Sequence, residues 1–92
     1  MRPVEFSAAA ARDLRYLRGW LEERAPGVAD RAIDTIKAAA FSLSEFPERG
    51  RLVRKALREL SVPFGSTGYV LRYGVTSRRV IIARVFHSLE RR

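Results

Sequence analysis

Cysteine is absent from this 92-residue sequence, which excludes a disulfide framework, a thiolate metal cluster and a thiol nucleophile. Histidine occurs once, as His87, so a zinc centre would have to be built mostly from carboxylates, against that ion's preference for nitrogen and sulfur. No metal and no cofactor is therefore expected. No uncharged run approaches the roughly 20 residues of a membrane span. Glu5, Arg12 and Asp13 interrupt any apolar stretch that could serve as a secretion signal. A cytoplasmic protein without membrane contact is the default expectation. Two domains would each be too small to bury a core, so a single domain over residues 1–92 is expected. What is present, 47% hydrophobic and 30% charged residues, is the balance of a folded domain and not of a disordered tail.

The charge is uneven. Eighteen basic and ten acidic residues give +8. Residues 1–25 carry +1 and residues 26–46 carry −1, so the excess belongs to residues 47–92, with eleven cations and three carboxylates. Sixteen of the eighteen cations are arginine, whose planar fork suits phosphates and carboxylates. A G+C-rich genome also favours arginine, so the asymmetry says more than the residue choice. It points to a polyanionic partner: nucleic acid, an enzyme that works on nucleic acid, or an acidic protein. The plainer alternative is a solubilising surface.

The short alternating run Pro3-Val4-Glu5-Phe6 predicts an opening strand. Ser7 stands as an N-cap before four alanines, and Ala10, Leu14, Leu17 and Leu21 then mark one face of a helix. Tyr16 and Trp20 widen that stripe. Ala25-Pro26-Gly27 breaks the helix briefly, which predicts an antiparallel helix hairpin. The second helix is expected over Val28–Phe46, burying Ala29, Ala32, Ile33, Ile36, Ala40 and Leu43, with Pro47 as its stop. Residues 48–56 are basic and aperiodic and read as a loop. Three strands follow: Leu57–Val62 ended by Pro63, Tyr69–Val75, and Arg79–Phe86, with turn chemistry at Gly65-Ser66-Thr67-Gly68 and Thr76-Ser77-Arg78. The order β-α-α-β-β-β predicts an α+β fold, a helix hairpin on a small, mainly antiparallel sheet with the first strand at an edge.

Enzymatic signatures are few. There is no G-x-S-x-G, no H-E-x-x-H, and the Gly65–Gly68 turn lacks a Walker lysine. The acidic residues read mainly as solvated helix surface. What remains is a basic cluster around the sheet: Arg54, Lys55, Arg58, Arg72, Arg84 and His87. Arg72 and Arg84 are expected on neighbouring strands. Cations beside a histidine suit metal-free RNA cleavage, where a 2′-hydroxyl loses a proton and phosphate charge is stabilised. The alternative is that His87 only ends a strand and hydrogen-bonds locally. Tyr69 and Tyr73 share a face with Leu71 and Val75, which suits core packing better than base stacking. Tyr16 and Trp20 are at core or partner-binding spacing.

The chain resembles the ParE/RelE superfamily of bacterial type II toxins, specifically its ParE (plasmid stabilisation) branch. The resemblance rests on Phe6–Leu14, Pro26–Ala32, Glu45–Arg51, Leu57-Arg58-Glu59-Leu60 leading into Tyr69-Val70-Leu71-Arg72-Tyr73, and the closing Arg84-Val85-Phe86-His87. RelE-like members cut mRNA on the ribosome and place arginine where this chain has Val70. They also tend to carry a basic residue just after the last strand and a tyrosine near the C-terminus, whereas Ser88 follows His87 here and no tyrosine lies beyond Tyr73. Similarity to the ParE branch implies a non-enzymatic toxin that traps DNA gyrase on cleaved DNA and inhibits growth, held in a hetero-oligomer by a cognate antitoxin. Its binding residues are then expected among Arg54, Lys55, Arg58, Arg72, Arg84, His87, Arg91 and Arg92, with Tyr16 and Trp20 taking apolar anchors. The alternative within the superfamily is a ribosome-dependent endoribonuclease acting on mRNA, with Arg58, Arg72, Arg84 and His87 as its catalytic groups.

Overall fold

Ser7 stands where an extended segment becomes a helix, and it serves both. In the computed structural model, which describes residues 1–90, strand β1 (Val4–Phe6) enters helix α1 (Ala8–Arg24) through this residue. The Ser7 N–H prolongs the strand by donating to the Ile82 carbonyl at 2.9 Å. Its hydroxyl accepts from the Ala10 N–H at 3.1 Å, as an N-cap does, and donates to the Ala83 carbonyl at 2.9 Å.

Ala25 alone separates α1 from helix α2 (Pro26–Ser42), so Pro26 and Gly27 open the second helix instead of lying in a loop. Proline fits a first turn, where its missing N–H has no intrahelical partner to lose. The helix ends at Ser42 and not at Phe46; Leu43 to Glu45 already turn. Its buried face is the expected one, with Ala29, Ala32, Ile36, Ala40 and Leu43 at 0% exposure and Ile33 at 2%.

The remaining strands are β2 (Arg51–Arg54), β3 (Leu57–Phe64), β4 (Thr67–Val75) and β5 (Val80–His87). Their order across the sheet is β1-β5-β4-β3-β2, antiparallel except for β1, which lies parallel to β5 at one edge. β2 corrects the reading of residues 48–56 as a loop and adds a strand to the expected order. Its Arg51, Leu52 and Arg54 are all exposed, so the alternation that betrays a half-buried strand is missing, as is common at an edge. Pro63 does not end β3. It sits opposite Gly68, past the short reach of β2, where the sheet asks nothing of its absent N–H.

The helices cover one sheet face, where Leu60, Val62, Tyr69, Leu71, Tyr73, Val80, Ile82 and Val85 form the core with them. The register of β5 against β4 shifts between Arg72 and Tyr73: Arg72 pairs with Arg84 but Tyr73 with Ile82, leaving Ala83 as a bulge. This bulge sets the direction of Arg84. No helix among the described residues is long and apolar enough to cross a membrane.

Candidate functional site

Arg72 and Arg84 meet, as their strands predict. They are cross-strand partners, and each guanidinium carbon lies 5.0 Å from the centroid of the Phe86 ring. Both are also engaged with carboxylates. Arg72 donates through Nε and Nη2 to Oε2 of Glu59, at 3.1 and 2.9 Å, and Glu59 is the one buried charged residue among those described, 8% exposed. Arg84 donates through Nε and Nη2 to the two carboxylate oxygens of Asp13 on α1, at 2.8 and 3.1 Å. Donating to the Asp13 carboxylate holds the Arg84 guanidinium above its already high ordinary pKa. Asp13 and Glu59 are thus structural counterions, which corrects their reading as solvated surface. Sequence spacing could not show this, because their partners lie on other elements.

His87 ends β5 at the opposite end of the sheet from Arg54 and Lys55. Its Nδ1 accepts from the Leu89 N–H at 3.2 Å, which puts the proton of a neutral ring on Nε2, 3.4 Å from the Thr67 hydroxyl. Its ring meets Tyr69 edge to face, with centroids 5.7 Å apart. The local, strand-ending role is the one the geometry displays.

His87 also borders a groove of about 890 Å³ between the outer half of α1, the β3–β4 turn and the residues after β5. Tyr16, Leu17, Trp20 and Leu21 form one wall; Arg84, Phe86, His87 and Leu89 form the other. Tyr16 is 76% and Trp20 44% exposed, so the second apolar pair of α1 lies beyond what the sheet covers. The Arg24 guanidinium rests 4.2 Å from the Trp20 ring centroid and holds that ring at the rim. Leu89, not singled out from the sequence, is as exposed as Tyr16 and faces the same space.

The rest of the expected cluster is dispersed. Arg58 donates to the Gly50 carbonyl at 2.8 Å and so braces the loop entering β2. Tyr73 holds the same loop, donating to the Pro47 carbonyl and accepting from the Gly50 N–H, both at 2.8 Å. Arg54 and Lys55 are exposed at the β2–β3 turn. Arg91 and Arg92 lie outside the described residues.

Residues 4–92 match the family described as "ParE toxin of type II toxin-antitoxin system, parDE". The chain is similar to Toxin RelE3 of Caulobacter vibrioides, 51% identical over 92 residues and covering 100% of both proteins. It is also similar to Toxin RelE1 of the same organism, 44% identical over 89 residues, with 97% of this chain and 96% of the relative covered. Among solved structures, a chain of the chromosomal ParDE TA system from P. aeruginosa superposes with a TM-score of 0.80 at 19% identity, covering 95% of this chain and 96% of that one. This last likeness is one of fold.

Proposed function

Because the chain belongs to the ParE/RelE superfamily of type II toxin–antitoxin toxins, we propose that it arrests growth by binding and poisoning DNA gyrase, without chemistry of its own. One observation carries this reading. The four groups a nuclease would use are each engaged inside the protein: Arg58 with Gly50, Arg72 with Glu59, Arg84 with Asp13, and His87 with Leu89. Nη1 of Arg58, Nε and Nη2 of Arg72 and Arg84, and Nδ1 of His87 are thus committed, and a phosphate or a 2′-hydroxyl would reach these atoms only by releasing them. A toxin that acts by docking needs no such release.

The cognate antitoxin is the partner we assign to the groove beside α1. Exposed Trp20, Tyr16 and Leu89 offer apolar anchoring positions, and a net charge of +8 attracts an acidic segment. A second reading, ribosome-dependent mRNA cleavage, is favoured by the juxtaposition of two guanidinium groups on the Phe86 ring. Controlled expression in bacteria, with labelled precursors followed over the first minutes, separates the two. Early loss of DNA synthesis with protein synthesis intact is the expected result. Early loss of protein synthesis would transfer the assignment to mRNA cleavage, and unimpaired growth would remove both.

A further inference from the structure

The sheet gathers at one end cations that are far apart in sequence. β3 and β4 pair so that Arg58 faces Tyr73, which brings the β2–β3 turn, with Arg54 and Lys55, beside the end of β4. The β4–β5 turn carries Arg78 and Arg79 at the same end. β1 enters there too: the Val80 N–H donates to the Pro3 carbonyl, and Arg2 Nε donates to the Thr76 carbonyl, both at 2.9 Å. Across the strand order this row runs from Arg2 and Arg79 through Arg78 to Lys55 and Arg54. Four interstrand gaps of about 4.8 Å make it roughly 19 Å long.

These cations differ from those of the sheet face. Among the described residues the side chains of Arg54, Lys55 and Arg78 make no hydrogen bond or ion pair, whereas Arg72 and Arg84 are both paired. Arg79 is paired with Glu5 at 3.3 Å, and Glu45 and Glu48 border two shallow depressions of about 470 and 430 Å³ on either side of Arg2. Neither depression has an aromatic side chain in its lining. Single-stranded nucleic acid is usually held by stacking on such rings, and protein interfaces usually anchor on tryptophan and tyrosine. A duplex needs only positive charge in register with its phosphates, which carry one charge per about 1.7 Å of axis.

We infer that this end of the sheet, formed by the β2–β3 turn, the β4–β5 turn and Arg2, docks on the backbone of duplex DNA without reading its sequence. The inference stands on charge placement and does not depend on gyrase being the target. With about three phosphates engaged, log K should fall against log salt with a slope near −3. The test is fluorescence anisotropy of a labelled duplex of about 20 bp with the full chain, from about 25 to 200 mM salt. The triple variant R54Q/K55Q/R78Q alters exposed, unpaired side chains. It should lose at least about tenfold in affinity at low salt and most of the slope. The triple variant R12Q/R15Q/R31Q removes the same charge from the helices and should lose no more than about threefold. Equal losses in the two triples would overturn the inference, as would no binding by the parent chain at the lowest salt. Tighter binding of a single-stranded RNA of equal length, lost in the first triple, would overturn the choice of duplex. Duplex binding in a protein that leaves gyrase unaffected supports this inference and counts against the earlier one.

Discussion

Oδ2 of Asp13 accepts the N–H of Val85 at 2.9 Å, so a helix side chain occupies a strand edge where the neighbouring strand has run out. β1 pairs with β5 only from Val80 to Ile82. Beyond that point the chain of β1 has turned into α1, whose Ser7 and Asp13 take over the β5 backbone. An uncovered strand edge invites pairing with other chains, and here part of it is closed by the chain itself.

Replacing Asp13 by Ala should therefore lower unfolding stability by about 1–3 kcal/mol, the range for orphaning a part-buried backbone donor. Asp13→Asn retains an acceptor for Val85 and should lose less, even though it abolishes the ion pair. Urea titration of the two variants checks this. Equal losses would mean that the Arg84 ion pair, not the backbone bond, carries the stability.

The Gly50 loop predicts a second pair of effects. A Cβ at Gly50 would stand 2.7 Å from the Tyr73 hydroxyl and 2.8 Å from the Glu59 carbonyl oxygen. Gly50→Ala should cost about 1–3 kcal/mol through overpacking. Tyr73→Phe leaves the buried Gly50 N–H without its acceptor and should cost a similar amount. A loss of only a few tenths for Gly50→Ala in thermal unfolding would show that the loop moves aside freely.

Burial pushes the Tyr69 and Tyr73 hydroxyls above their ordinary pKa. The unfolded chain would release these protons first, near pH 10. Their contribution is thus fully present below that pH and is lost as pH rises through the raised folded values. Stability should fall on the alkaline side, and Tyr69→Phe and Tyr73→Phe should each flatten that fall. Denaturant midpoints measured across the alkaline range test it; an unchanged slope in both variants would contradict it.

Ala56, in the β2–β3 turn, has φ of 75° and is the one non-glycine residue in the left-handed region among those described. That conformation costs an L-residue about 1–2 kcal/mol, partly offset in glycine by backbone entropy. Ala56→Gly should raise stability by roughly 0.5–1 kcal/mol. A decrease in melting temperature would rule out this account of the turn.

At the groove, Trp20→Ala and Tyr16→Ala should weaken antitoxin binding by about 2 kcal/mol or more if these rings are anchors, with little effect on folding because both are exposed. Calorimetric titration with the cognate antitoxin measures the first effect and thermal unfolding the second. Unchanged affinity in both variants would move the antitoxin elsewhere.

The helices were legible because their signals are local: Ser7 before the alanines, Pro26 in the hairpin, and the α2 face from Ala29 to Leu43. β2 was not, because an exposed edge strand has no apolar rhythm to read. Of the basic residues expected around the sheet, Arg54, Lys55, Arg58, Arg72, Arg84 and His87, the structure brings Arg72 and Arg84 together, as their neighbouring strands predicted, and leaves the others apart. Arg54 and Lys55 belong to one end of the sheet, His87 to the other, and Arg58 to a loop brace. Asp13 and Glu59 escaped notice because their roles depend on residues 72 and 13 positions away in sequence. Arg2 joins the end of the sheet that carries Arg54 and Lys55 only through the parallel seating of β1, which no spacing in the sequence announces.

That seating has a consequence for how the chain is made. β1 leaves first and β5 comes last, with both helices and the whole meander between them, yet each is the other's neighbour. The helices can form within microseconds of their synthesis, but until Val80 to Ile82 exist, β1 has nowhere to sit. Ser7 then also lacks the Ile82 and Ala83 carbonyls that tie the start of α1 to the sheet. Closing so distant a pair is slow relative to local structure. A nascent chain of this design stays open through most of its synthesis and gains its working surface only when the final strand arrives.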